Sequence, residues 1–111
     1  MAFPCPPAGA VVVAFVSQRR TEGNDGYAEA AAAMEALAER QPGYLGFVAA
    51  RSADGIGIAL SFWQDDAAAR AWRDQPDHSR IREQGRLIWY DRYALSVAAV
   101  ERSYAWERGA E

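Results

Sequence analysis

The sequence predicts an α+β domain built in the order β-α-β-β-α-β, the ferredoxin-like split pattern, with its second helix broken in two. Three observations carry that prediction. Four segments rich in β-branched and aromatic residues have strand length or more. An alanine-rich stretch with helical spacing separates the first two. Pro76 and Asp77 interrupt a second helical stretch before the last strand.

Ala10 to Ser17, AVVVAFVS, reads as the first strand. Both of its faces are apolar, so both should be covered. Arg19 to Gly26 is polar and turn-like, and a helix follows from Tyr27 to about Arg40. Its alanines favour the helix, while Tyr27, Ala31, Met34 and Ala38 repeat as an apolar stripe beside Ala30 and Leu37. Gln41-Pro42-Gly43 stops it.

Tyr44 to Arg51 and Ile56 to Trp63 form a hairpin around the turn Ser52 to Gly55. The third strand is uneven. Ile56, Ile58, Leu60 and Phe62 share one face, and Gly57, Ala59, Ser61 and Trp63 the other. The small face has two readings: close approach of a helix, or a hollow with Trp63 at its rim. Asp65 or Asp66 caps the next helix, in which Ala68 and Trp72 share a face. Asp77 is placed to cap the helix after the break, through His78, Ile81, Arg82 and Gly85. The last strand runs from Tyr90 or Asp91 to about Tyr104, apolar or small on both sides.

The domain is expected to span 10–106, after a loose proline-rich leader over 1–9 and before a solvated tail over 107–111. An antiparallel sheet with helices on one face leaves its other face uncovered, and that face is apolar here. A homodimer through the exposed sheet face is the expected solution.

Composition narrows the chemistry. The 111 residues suit one domain, with 50% apolar and 24% charged residues. All twelve basic residues are arginine, so no lysine Schiff base or P-loop lysine exists. Fifteen acids leave a net charge of -3, which gives no electrostatic footprint for nucleic acid. Cys5 is alone, so no intrachain disulfide or thiolate cluster forms. The start lacks a basic and then apolar signal pattern, and no stretch approaches a membrane span. A cytoplasmic protein is the expectation.

Candidate residues cluster between Gly55 and Gly85. His78, the only histidine, reads as a helix-start residue bonded to backbone, as a base or pocket contact, or as an axial haem ligand. Trp63 and Trp72 read as packing or as flat walls for an aromatic ligand. Arg80, Arg82 and Arg86 read as solvated, with Arg82 also placed to turn inward toward an oxyanion. Tyr27, Tyr90 and Tyr93 are hydroxyl donors or ordinary half-buried aromatics. No serine elbow, dinucleotide fingerprint or paired-histidine metal motif is present.

The segments AVVVAFVS, QPGYLGFVAARS, IALSFWQDDAAARAW and PDHSRIREQGR, within Val11 to Tyr104, together resemble the antibiotic biosynthesis monooxygenase-like family. The resemblance implies a dimeric α+β barrel and cofactor-independent monooxygenation of a small aromatic or polycyclic phenol. Trp63 matches the tryptophan of the quinone-forming members, and Arg82 their arginine. Their asparagine and tyrosine positions fall near Ala59 and Ala69. Haem-degrading relatives have a tryptophan like Trp72, but their histidine position falls close to Arg82 rather than His78.

The candidate catalytic residues are therefore Trp63, Arg82 and His78. The candidate substrate contacts are Trp72, Ser61, Tyr27 and Arg86. The expected ligand is a small aromatic molecule, with no cofactor. A non-catalytic small-molecule-binding dimer and a haem-binding or haem-degrading protein are the alternatives.

Overall fold

A computed structural model describes residues 3–20 and 25–109. The ends of the leader and tail, and positions 21–24 of the polar turn read over 19–26, lie outside the described residues. The elements are β1 (Val11–Arg19), α1 (Tyr27–Glu39), β2 (Tyr44–Arg51), β3 (Ile56–Trp63), α2 (Asp66–Arg73) and α3 (Pro76–Gln84). A π-helical turn, Gly85–Trp89, then leads into β4 (Tyr90–Ala99).

The sheet order is β2-β3-β1-β4, and every pairing is antiparallel. The split pattern and the broken second helix are thus present. The barrel is not. A closed barrel requires its two edge strands to bond to each other, and β2 and β4 stand at opposite edges of an open sheet. The expectation of a dimeric α+β barrel is corrected to an open four-stranded layer.

Register fixes which side chains share a face. Across β2, β3, β1 and β4, one row holds Tyr44, Trp63, Val11 and Ala99, and the next Phe47, Ser61, Val13 and Val97. Below these come Ala49, Ala59, Phe15 and Leu95, then Arg51, Gly57, Ser17 and Tyr93. This is the helix-facing side, because Val11 and Trp63 are buried in one core cluster with Ala38 of α1 and with Ala69 and Trp72 of α2. The opposite face carries Val12, Ala14 and Val16 beside Phe62, Leu60 and Ile58, with Val48 further out. Ile58 is 51% exposed there, and Val16 is also exposed. An uncovered apolar face is therefore an observed feature of the chain.

Local chemistry explains the breaks. Gly43 takes φ 83, a left-handed turn conformation. A Cβ at this position would stand 2.6 Å from that of Ala68, so glycine also lets α2 close over the hairpin. Asp65 caps α2, accepting from Ala68 N at 2.8 Å. α3 is capped by Gln75, which accepts from His78 N at 2.8 Å, and not by Asp77. The reason is Pro76: a proline fits the first helical position, so the cap moves one residue before it. β4 ends at Ala99, short of the expected Tyr104, because its partner β1 begins at Val11. Val100 still bonds to Ala10 O at 2.8 Å, beyond which Tyr104 and Trp106 are exposed.

Candidate functional site

The helix-facing side of the sheet has two aromatic ends separated by smaller side chains. At the upper end Trp63 closes β3 and is completely buried. Its indole Nε1 donates to Ser61 Oγ at 2.9 Å, two residues back on the same face. Trp72 stacks on Trp63 with ring centroids 5.8 Å apart, and His78 lies flat on Trp72 at 4.1 Å. Tyr44 meets Trp63 edge-on.

The break between α2 and α3 builds this stack. His78 Nδ1 lies 2.8 Å from Trp72 O, and a carbonyl only accepts, so Nδ1 carries the proton and Nε2 keeps its lone pair. Arg82 donates to Arg73 O at 3.2 Å and Ser79 Oγ also donates to that carbonyl. Arg82 thus satisfies the end of α2 from one turn of α3 away. Of the residues singled out in the sequence, Ser61, Trp63, Trp72 and His78 come together, with Arg82 bracing them.

Burial pushes the His78 pKa below its ordinary value of 6.5, and the nearby Arg82 charge acts the same way, against the Trp72 carbonyl. The native state binds fewer protons than the unfolded chain around that pH, so stability should fall as pH drops below about 6.5. Urea midpoints measured between about pH 7.5 and pH 5 should decline for the natural chain. The decline should flatten in His78→Gln, because no other histidine titrates in that window.

Tyr27 and Arg86 sit at the lower end, apart from the tryptophan stack. Tyr27 opens α1, and its ring meets those of Trp89 and Tyr90 edge-on. Arg19 stacks over the Tyr27 ring at 4.0 Å while pairing with Asp25 at 3.1 Å. The Arg19 bond holds the Asp25 carboxyl below the ordinary carboxylate range. Arg86, on the π-helical turn, donates to Tyr93 OH at 2.6 Å and pairs with Glu83 at 2.8 Å. Tyr90 is pushed above the usual phenol range, first by burial and then by its hydrogen bond to Tyr27.

Arg51 also belongs to this end and was not singled out from the sequence. Its Nη2 donates to Tyr27 OH at 2.7 Å. A signal existed: Arg51 follows Phe47 and Ala49 at period two and is a charged residue on an otherwise apolar strand face.

Between the two ends lie Ser61, Val13 and Val97, then Ala59, Phe15 and Leu95. Leu95 and Val97 are each 53% exposed, so the helices leave the β4 side of this floor open. α3 packs chiefly on α2 and the π-helical turn rather than on the sheet. The result is an exposed apolar strip on β4, with the buried tryptophan stack toward its upper end and the tyrosine–arginine cluster toward its lower end. A hollow of about 470 Å³ lies along the free edge of β2, lined by Phe3, Pro4 and Tyr44–Ala49, and so reaches the β2 end of the same rows. Among the described residues, no group of three or more His, Cys, Asp or Glu could hold a metal ion, and no helix is long and apolar enough to cross a membrane.

Comparison with known proteins gives two kinds of likeness. Among solved structures, the chain superposes on the cofactor-independent oxygenase SnoaB from Streptomyces nogalater with a TM-score of 0.73 and 17% identity, covering 86% of this chain and 97% of that one. It superposes on Rv0793 from Mycobacterium tuberculosis with a TM-score of 0.71 and 16% identity, over 91% and 99% of the two chains. Those likenesses speak for the fold. In sequence, it is 42% identical over 99 residues to the uncharacterized protein YqjZ of Bacillus subtilis (strain 168), covering 89% of this chain and 84% of that protein. The profile for antibiotic biosynthesis monooxygenase matches residues 10–84, from the start of β1 to the end of α3, and the chain belongs to that family.

Proposed function

We propose that this protein is a cofactor-independent monooxygenase acting on a small aromatic phenol held in the cleft between the tryptophan stack and the tyrosine–arginine cluster. The observation that carries this reading is the half-exposed apolar floor at Leu95 and Val97, bounded by flat aromatic side chains. An apolar cleft with a few convergent polar groups is the ordinary form of a small-molecule site. Family membership and the likeness to SnoaB, a cofactor-independent oxygenase, support the same reading.

The chemistry asks for an electron-rich ring in its anionic form. A phenolate gives one electron to O2, and the resulting radical and superoxide join as a carbon-bound peroxide. Loss of water leaves a quinone, so a hydroxynaphthalene and one O2 give a naphthoquinone and one H2O. The protein would stabilise the anion with arginine and phenol donors. Trp63 and Trp72, both buried, back the upper end together with the buried Ser61, and the exposed Arg86 is the polar group offered at the lower end.

A purified sample should consume O2 with hydroxynaphthalene or anthrone compounds above their spontaneous oxidation, matching quinone formed and unaffected by chelator. No uptake across the panel would count against the reading. A second reading, binding without turnover, is favoured by the Trp63 N–H already being engaged by Ser61; saturable binding with no product would establish it. His78 lying flat on Trp72 suits a packed ring better than an axial haem ligand. The working unit in this proposal is a homodimer joined through the uncovered sheet face.

A further inference from the structure

Three arginines reach the tyrosine cluster, and they differ in charge balance. Arg19 is paired with Asp25, and Arg86 with Glu83. Arg51 has no carboxylate partner among the described residues: its Nη1 donates to Gly55 O and its Nη2 to Tyr27 OH, each at 2.7 Å. A guanidinium has five N–H donors, so these two bonds orient Arg51 and leave others unused. In a chain of net charge -3, this end of the sheet holds, among the described residues, a cation without a carboxylate partner.

The sheet is shaped around that cation. The Arg51 guanidinium lies over Gly57, where a Cβ would stand 2.6 to 2.8 Å from its atoms. Any larger residue at 57 would push the guanidinium away from Tyr27. One row inward the floor is Ala49 and Ala59, with nothing longer than a methyl group, and Ala49 is exposed. A flat ring therefore has a shelf to lie on directly beside a fixed cation and a phenol. Tyr90, half-buried, meets the Tyr27 ring edge-on at 5.9 Å and helps hold the phenol in place.

We propose that Arg51, with the hydroxyl of Tyr27, binds the ionised oxygen of a small aromatic anion, a carboxylate or phenolate, whose ring rests on the Ala49–Ala59 shelf. The proposal rests on the reading of the cleft as an aromatic site and assigns its specificity to charge. Gly57 is then a positioning residue, and Arg51 decides which ligands are held.

Binding of 2-naphthoate and of its neutral isostere 2-naphthamide to the purified chain, by titration calorimetry at low salt, tests this. The natural chain should bind the naphthoate at least ~10-fold more tightly, the scale expected of one charge-assisted contact. Arg51→Gln should equalise the two ligands while leaving the naphthamide within about twofold. Gly57→Ala, which keeps the cation but displaces it, should also reduce the preference. It decides the matter if Arg51→Gln does not fold. Equal binding of both ligands by the natural chain, or a preference that survives both substitutions, overturns the proposal alone. Failure of both ligands to bind overturns it together with the aromatic cleft, whereas naphthoate binding without detectable naphthamide binding upholds it. A charge preference without O2 consumption by any phenol upholds it and removes the oxygenase reading.

Discussion

Trp63→Ala is expected to lower the unfolding free energy by about 3–5 kcal/mol, the range for removing a fully buried aromatic. That is a large share of the roughly 5–15 kcal/mol holding a domain of this kind together. The upper part of the range is expected because Trp63 joins α1, α2 and β1 in one cluster, and because its loss leaves Ser61 Oγ without its buried donor. Urea unfolding followed by circular dichroism measures the change. Trp63→Phe should cost less, since it keeps much of the stack and loses chiefly the N–H. A cost below about 1 kcal/mol for the alanine variant would mean that the tryptophan cluster does not organise the core. Lost oxygenation in Trp63→Ala would be uninformative by itself, whereas folded but inactive Trp63→Phe would speak to chemistry.

Ile58→Glu is expected to turn a dimer into a folded monomer. Ile58 lies on the uncovered face, paired with Val16 of β1 and Ala50 of β2. In a two-fold interface each substitution occurs twice, so two unpaired carboxylates would be buried where two isoleucines met. At a few kcal/mol for each poorly solvated charge, dimerisation should weaken by ~100-fold or more. The single chain should fold normally, because Ile58 is already half in water. Sedimentation at micromolar concentration separates the outcomes. A natural chain that sediments as a monomer would refute the proposed association.

The strand and helix order was legible because its signal is local. Alternation along β3 marked both faces, and the Gln41-Pro42-Gly43 and Pro76 breaks bounded the helices within a residue or two. Closure was not legible. Whether β2 meets β4 depends on pairing between distant segments, which no periodicity within either one encodes. The π-helical turn escaped for a similar reason. GRLIW carries no intrinsic mark of it, and it is held by tertiary contacts: Trp89 Nε1 to Asp25 O at 3.0 Å, and Arg20 N to Trp89 O at 2.9 Å.

The site was half legible. Trp63, Trp72 and His78 lie within one short stretch, so their meeting follows from helix geometry. Arg51, Tyr27 and Tyr90 come from three separate elements, and only the register of β2 on β3 places Arg51 over Gly57. That register also splits the candidate residues between two walls, which the linear reading had gathered into one.

The position of β1 has a consequence for synthesis. Its two neighbours in the sheet are β3 and β4, the third and fourth strands in chain order. The nascent VVVAFV segment therefore emerges with both hydrogen-bonding edges open and stays half-satisfied until β4 has been made. Such a segment, uncharged and β-prone, is open to pairing with other growing chains. The sheet around β1 is thus completed only after β4 has left the ribosome.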